Sequence, residues 1–458
     1  MIAARRLRSN FALERAVALA REHRKPLVIF EPLRAGYRWA NDRLHQFVID
    51  GMAEHARVLG QTPVTYVPYV EPAPGDGRGL LEALAADAVA VVTDDYPAFF
   101  LPRMIARAAR DMRVQFEAVD SNGLLPMRAA GRAFVTAFSH RAYIHNTFRE
   151  HLQTWPGEIR FDDLPRLAAL PEAVTRRWAI GVDRTPIAQL PINHSIAPVA
   201  WRGGEAAAQA ALAQFVEHAL GRYGDDRNQP SLAGTSRLSP YLHFGHISAH
   251  DVFAAVMTAE KWTSRKLAAK GGGKREGWWG VSANAEGFLD QIVTWRELGF
   301  NMCVERPDDY DQFSSLPEWA RATLAAHRTD TRRWVYTREQ FTNAETHDPL
   351  WNAAQRELTQ TGWMHNYLRM LWGKKILEWS RSPEDALEHM IEIMNAYALD
   401  GRDPNSYTGY FWTLGRYDRP WAPEREVFGT IRYMSSDSTM KKWRMKPYLD
   451  RFGPPSLF

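Results

Sequence analysis

The segment Thr361-Gly362-Trp363-Met364-His365-Asn366-Tyr367-Leu368-Arg369-Met370-Leu371-Trp372, running on to Trp379, decides how the second half of this chain folds. Its apolar residues recur at helical spacing. Trp363, Asn366 and Met370 stand at i, i+3 and i+7, one face of a helix. Trp372 and Trp379 are two turns apart, about 10 Å along a helix axis. Electrons can hop between rings at that separation, although such a pair taken alone reads as ordinary core. Outward from this segment, helical spacing returns over 206–220, 249–262, 285–303, 349–358 and 383–398, with no convincing strand after residue 200. Residues 201–458 therefore read as an all-α domain.

The first part of the chain has a different texture. Short apolar runs at 26–30, 63–67, 88–92 and 114–119 alternate with helical stretches at 42–59 and 101–111. This alternation predicts an α/β domain over 1–130 built on a parallel, Rossmann-like sheet. No Gly-x-Gly-x-x-Gly follows the first strand, so the dinucleotide fingerprint is missing. From about 121 to 195 the sequence turns proline-rich, and 131–200 reads as an interdomain linker. Two or three domains suit 458 residues.

Composition narrows the class. Hydrophobic residues make up 45% and charged residues 24%, a globular balance. No run of eighteen apolar residues predicts a membrane span, and Met1–Arg6 lacks the apolar core of a secretory signal. Cys303 is the only cysteine. That excludes an internal disulfide and a cluster held by four cysteines of this chain, and it fits a reducing, cytoplasmic setting. A net charge of +4 permits a nucleic-acid partner without requiring one. Seventeen tryptophans hint at stacking surfaces or redox relays, although large cores also use them.

Three further segments carry candidate chemistry. Gly234-Thr235-Ser236-Arg237-Leu238-Ser239-Pro240 places three hydroxyls and an arginine ahead of a helix. Such a set suits a diphosphate, and equally a helix cap. In Phe288-Leu289-Asp290-Gln291-Ile292-Val293-Thr294-Trp295-Arg296-Glu297-Leu298, Gln291 and Trp295 share a helix face, where an amide and an indole can engage the edge and ring of a base. Core packing by Trp295 is the competing reading. Leu399-Asp400-Gly401-Arg402-Asp403-Pro404-Asn405, followed by aromatics up to Trp412, is a structured loop whose carboxylates can pair with Arg369. Residues 265–280 read as a mobile basic loop; their Gly271-Gly272-Gly273-Lys274 run lacks the spacing of a phosphate loop.

Taken together and in this order, these segments resemble the class II photolyases of the photolyase/cryptochrome superfamily, most strongly over 230–450. Thr-Gly-Trp-Met-His-Asn-Tyr-Leu-Arg-Met and Leu-Asp-Gly-Arg-Asp-Pro-Asn are the most specific parts. The resemblance implies a photolyase/cryptochrome fold and a bent FAD, active as reduced FADH−, in the helical domain. It implies that Tyr223, Thr235, Ser236, Arg237, Leu238 and Ser239 grip the cofactor's phosphate side. Gln291, Arg296, Trp363, Asn366, Arg369, Asn395 and Asp400 would complete the cofactor site, with Arg369 and Asp400 as an ion pair and Asn395 near flavin N5. It implies light-driven splitting of cyclobutane pyrimidine dimers in UV-damaged DNA, the dimer being flipped out of the duplex. Trp295, Met370, Trp412 and Trp421 would pack on the lesion, with Gln291, Trp295, Asn395 and Asn366 closest to the chemistry. Trp372, Trp351 and Trp379 would form the electron-transfer row that reduces oxidised flavin. Arg419, Lys441, Lys442 and Arg444 would meet DNA phosphates. The protein is expected to act as a monomer, away from membranes.

The chain departs from the family's pattern in two places. Gln291 stands where a glutamate is usual. A glutamine still donates and accepts hydrogen bonds but cannot act as an acid, so lesion binding with altered efficiency or lesion range is expected. Asp290 points about 100° away on a helix. The family's first strand also precedes the segment resembling 8–13, whereas this chain begins at Met1. Either the sheet lacks that strand or the true start lies upstream, which leaves antenna-pigment binding open. Two other functions stay open: repair of (6-4) photoproducts with His365 as the acid–base group, and light sensing without repair. The short stretch after Tyr448-Leu449 weighs against the signalling tail common in cryptochromes.

Overall fold

The computed structural model describes residues 1–454. The chain divides into two compact units, each assembled from separate stretches. One comprises Met1–Met127, Glu150–Ala213 and Arg237–Ala255; the other comprises Arg128–Arg149, Gln214–Ser236 and the chain from Val256 onward. The three consecutive stretches expected from the sequence thus give way to units that exchange segments. The proline-rich region is also less irregular than expected, since Ala137–His151 is a helix. Its buried face (Ala137, His140, Arg141, Ile144, His145, Phe148) follows helical spacing and packs within the second unit.

The first unit holds the strands β1 (Val28–Leu33), β2 (Thr65–Val70), β3 (Ala90–Asp94) and β4 (Gln115–Val119). The expected helices at Asp42–Leu59 and Leu101–Asp111 are both present. Asn41 caps the first of them by accepting from Leu44 N–H. Strand pairing is parallel as expected, but β1 pairs with β2 and β3 with β4 in two separate two-stranded sheets. A cavity of about 780 Å³, lined by Val28, Ile29, Phe30, Val91, Val92 and Phe116 among others, adjoins β1 and β3. At its end the Met1 ammonium donates to Phe30 O, and the N–H groups of Ile2 and Ala3 reach the Asp94 carboxylate at 2.6 and 2.8 Å.

Glu31, within β1, centres a buried ionic knot. Glu31 accepts from Arg5, His55 and Tyr66 at 2.8, 2.8 and 2.6 Å, and His55 Nε2 lies 3.5 Å from Glu205. Burial pulls the His55 imidazole down, but the two carboxylates more than offset this and lift it to about 9. Its folded value is therefore raised above the ordinary histidine value near 6.5. The stability it contributes is fully present below pH 6.5 and is lost as pH rises through about 9. Denaturant unfolding of the parent should show this loss across pH 6.5 to 9, and His55→Gln should flatten it. An equal slope in both proteins would remove His55 as the cause.

The second unit is helical, and no named strand occurs among its described residues. Close helix crossings hold it together. At Gly299, in the helix Arg296–Glu305, a Cβ would meet Thr408 Oγ1 at 2.9 Å and Pro404 C at 3.0 Å on the helix Pro404–Thr413. At Gly373, a Cβ would meet Thr413 Oγ1 at 2.6 Å and Met390 Sδ at 3.1 Å. A side chain at Gly299 would press on the Pro404 backbone and force those two helices apart, and one at Gly373 would displace the Thr413 and Met390 side chains.

Candidate functional site

The Ala283–Glu305 segment does not run as the single helix its spacing predicts. Asp290–Trp295 is a π-helical stretch between Ala283–Leu289 and Arg296–Glu305. Such insertions re-aim side chains and recur at functional sites. Asp290 is turned inward, and its carboxylate accepts from Arg141 Nε at 2.7 Å. Gln291 and Trp295 keep part of their surface open. Trp295 meets Tyr417 edge to face at 6.4 Å, and both line a cavity of about 350 Å³ with Arg141, Lys274 and Arg275.

The basic loop of 265–280 is more firmly held than its composition suggests. The buried Glu286 carboxylate accepts from the N–H groups of Gly277, Trp278 and Trp279 at 2.7 to 2.9 Å. Trp278 stacks on His145 at 4.2 Å. One carboxylate thus anchors the end of the loop and leaves Lys274 and Arg275 exposed.

The deciding segment 361–372 starts its helix later than its spacing predicts. Gly362 adopts φ 72° and ends the helix Pro349–Thr361, donating to Leu358 O. The next helix, Asn366–Trp379, is capped by His365, which accepts from Tyr367 N–H. Trp363 therefore precedes the helix instead of sharing its face. Asn366 lies in the first turn and is exposed; Met370, one turn on, is half-buried. Arg369 Nη2 donates to both oxygens of Asp400 at 3.0 and 3.2 Å. Burial lowers the Arg369 value, but Asp400 outweighs it and the guanidinium is held above its ordinary range.

Asn395 is 0% exposed and sits in a buried hydrogen-bond network. Its Oδ1 accepts from Arg402 N–H and Tyr410 O–H at 2.8 and 3.0 Å, and its Nδ2 donates to Tyr407 at 3.3 Å. Asn395 fastens the turn around Arg402, whose backbone is left-handed at φ 66°. The amide of this region with open surface is Asn405, in the first turn of Pro404–Thr413, where it donates to Asp403 at 2.9 Å. Its place in an Asp-Pro-Asn helix start was visible in the sequence. Leu238 is 1% exposed, so its side chain packs inward and only its backbone could meet a phosphate. Arg237 is exposed, with a left-handed backbone at φ 53°. Arg237, Leu238 and Ser239 belong to the first unit; Tyr223, Thr235 and Ser236 belong to the second, where Tyr223 is buried against Phe215 and Phe288.

Two arginines with buried donors test whether the helical unit suits an acceptor-rich cofactor. Arg296 is 7% exposed, and its Nε and Nη1 are buried without a hydrogen-bond partner; Arg369 Nε is in the same condition. Each buried donor left unmet costs about 1–3 kcal/mol. The carbonyl, ring-nitrogen and phosphate acceptors of FAD are the chemistry such donors take, and the residues present fit the group.

Five tryptophans of the helical unit form two sets. Trp351 stacks on Trp372 at 6.3 Å with an interplanar angle of 6° and meets Trp379 at 6.0 Å. Trp351 Nε1 donates to Trp372 O, and Trp372 Nε1 to Gln355. The second set alternates with cations. Lys374 lies 4.7 Å from Trp412, Arg432 lies 5.6 Å from Trp412 and 4.0 Å from Trp421, and Arg419 lies 4.7 Å from Trp421. Asp418 holds Arg432 at 2.7 Å. Burial pushes the Lys374 ammonium down to about 7, while it donates to Thr413 O. Lys441, Lys442 and Arg444 are exposed at the end of and just beyond the short helix Ser436–Lys442.

No family model matches the chain. Comparison with solved structures gives the fold. A class III photolyase from Agrobacterium tumefaciens aligns with a TM-score of 0.68 at 18% identity, over 98% of this chain and 84% of that one. A cryptochrome from Synechocystis aligns at 0.66 and 16%, over 98% and 86%. These likenesses define the class: this is a photolyase/cryptochrome fold. Among curated relatives, the deoxyribodipyrimidine photo-lyase of Methanothermobacter thermautotrophicus is 32% identical over 96% of this chain and 91% of its own length. That of Oryza sativa is 33% identical over 98% and 86%, and that of Potorous tridactylus 30% over 98% and 80%. The chain belongs to the deoxyribodipyrimidine photo-lyase family. No helix among the described residues is long and apolar enough to cross a membrane.

Proposed function

We propose that this chain is a light-dependent lyase that splits cyclobutane pyrimidine dimers in UV-damaged DNA, working as a monomer in the cytoplasm. The observation that carries the reading is the buried guanidinium of Arg296 and the partly buried one of Arg369, with donors left for an acceptor-rich cofactor. Bound FAD in its reduced form supplies the light absorption and the electron that opens the dimer. The chain supplies the rest. Arg296 and Arg369 would donate to the cofactor, and Asp400 orients Arg369. Thr235, Ser236 and Ser239 would donate to its phosphates and Arg237 would neutralise their charge, and Asn366 and Asn405 offer amides with open surface. Trp295, Met370, Trp412 and Trp421 offer apolar faces for a flipped base pair, and Gln291 would hydrogen-bond its edge without supplying a proton. Arg419, Lys441, Lys442 and Arg444 would hold the duplex through phosphates.

Irradiating the holoprotein with oligonucleotides carrying each lesion tests the reading; restored pyrimidines from the cyclobutane dimer are expected. A purified protein without flavin, or one that repairs only (6-4) lesions, would contradict it. Trp295→Ala isolates the lesion contact. Loss of one base-stacking ring is worth about 1–3 kcal/mol, so dimer-containing DNA should bind roughly tenfold to a hundredfold more weakly. Flavin content should stay at the parent level. Unchanged affinity in a binding titration would return Trp295 to the core.

A further inference from the structure

The tryptophan row ends in a ring cluster that plays no part in the reading above. At Trp379, Tyr336 approaches edge to face at 5.8 Å and His347 at 4.9 Å. The Tyr336 N–H donates to Trp379 O at 3.1 Å. The Tyr336 phenol lies 2.7 Å from His347 Nδ1 and accepts from the His347 backbone N–H at 3.0 Å. While accepting that N–H, the phenol can donate its own proton to Nδ1, the arrangement in which His347 carries its hydrogen on Nε2. Trp334, 41% exposed, stacks on His347 at 4.6 Å.

We propose that His347 is the base that takes the phenolic proton of Tyr336 as Tyr336 gives an electron to oxidised Trp379. The inference rests on reading Trp372, Trp351 and Trp379 as an electron path, whose oxidant is light-excited oxidised flavin. A phenol that loses an electron becomes a strong acid, so the electron leaves readily only when a proton acceptor is already in place. The step balances. The Trp379 indole cation radical gains one electron and becomes a neutral indole. Tyr336 loses one electron, its O–H bond breaks, and a neutral phenoxyl radical remains. The proton forms an N–H bond at His347 Nδ1 and gives an imidazolium. The positive charge thus passes from buried Trp379 to an exposed imidazole that can release it to water.

The surroundings keep this base available. Burial lowers the His347 value; neighbouring Asp348 and Glu378 act to raise it, and Lys375 and Arg333 act to lower it. The net shift is downward, so His347 stays neutral at neutral pH, and acid removes the acceptor.

Flash photolysis of the oxidised, FAD-loaded full chain tests the step by following tryptophan and tyrosyl radical absorption. General bases contribute about 10²–10⁴-fold, so tyrosyl formation should slow about a hundredfold in His347→Phe. The tryptophan radical should persist correspondingly longer. In the parent, the same slowing should appear on acidification as His347 protonates. His347→Gly with added imidazole should recover part of the rate, which a purely structural role would not allow. In the flavin-free chain, nitrogen NMR should find His347 Nδ1 as the unprotonated ring nitrogen, and Tyr336→Phe should shift that signal. Tyrosyl formation indifferent to pH and to His347→Phe, or a protonated Nδ1 at neutral pH, overturns the proposal. A parent protein that forms no tryptophan radical at all overturns the electron-path reading instead.

Discussion

Asp400→Ala should strip the helical unit of its cofactor and cost it about 3–5 kcal/mol of stability, the penalty for leaving one member of a buried ion pair without its partner. Arg369 sits on the helix Asn366–Trp379 with its side chain 19% exposed, and Asp400 is 8% exposed. Both Asp400 oxygens accept from Arg369 Nη2, and the Asp400 carbonyl accepts from Ser406 O–H at 2.6 Å. Alanine removes the counter-charge while the guanidinium remains in the interior, where Nε already lacks an acceptor. The arginine must then move toward water or stay unpaired, and either outcome disturbs the cofactor site. Asp400→Asn, which keeps the shape and one acceptor oxygen, should fall between parent and alanine variant. Denaturant midpoints of the flavin-free proteins measure the stability term, and absorbance of bound flavin measures the cofactor term. An alanine variant with parental flavin content and a midpoint shift worth less than about 1 kcal/mol would make the pair an ordinary surface contact.

Trp351→Phe should all but abolish light-driven reduction of oxidised flavin while leaving flavin bound. Trp351 is 0% exposed and is the one ring in contact with both Trp372 and Trp379. Phenylalanine fills most of the volume but is far harder to oxidise than indole, so the path breaks at its middle. The substitution also leaves Trp372 O without its indole donor, a loss of about 1–3 kcal/mol that the domain should survive. Trp351→Ala is the poorer probe, because an empty site of that size costs about 3–5 kcal/mol and confuses folding with electron transfer. Steady illumination of the oxidised holoprotein with an external reductant reads the result. Photoreduction at the parental rate would assign Trp351 to the core alone. Repair driven by chemically reduced flavin separates this variant from one damaged at the lesion site.

Local signals in the sequence were enough for some of the elements. The helices at 42–59 and 101–111 are visible in their periodicity and the four strands in short apolar runs, because each needs only residues of its own segment. The quoted motifs also name the family, and they contain Arg369, Asp400 and two tryptophans of the row, Trp372 and Trp379. Spacing could not reveal what depends on several elements meeting. The π-helical stretch at Asp290–Trp295 becomes apparent only once Arg141 claims Asp290 from another helix. The order Trp372–Trp351–Trp379 requires two helices to cross. Nothing in the sequence near Asn395 announces that Tyr407, Tyr410 and Arg402 hydrogen-bond its amide. The pairing of β1 with β2 and of β3 with β4 as separate sheets is likewise a matter of which edges meet. Periodicity and chemistry within one segment are properties of the chain itself, whereas the partner of a buried charge, amide or ring is set by packing between distant segments, and here only the tertiary structure decides it.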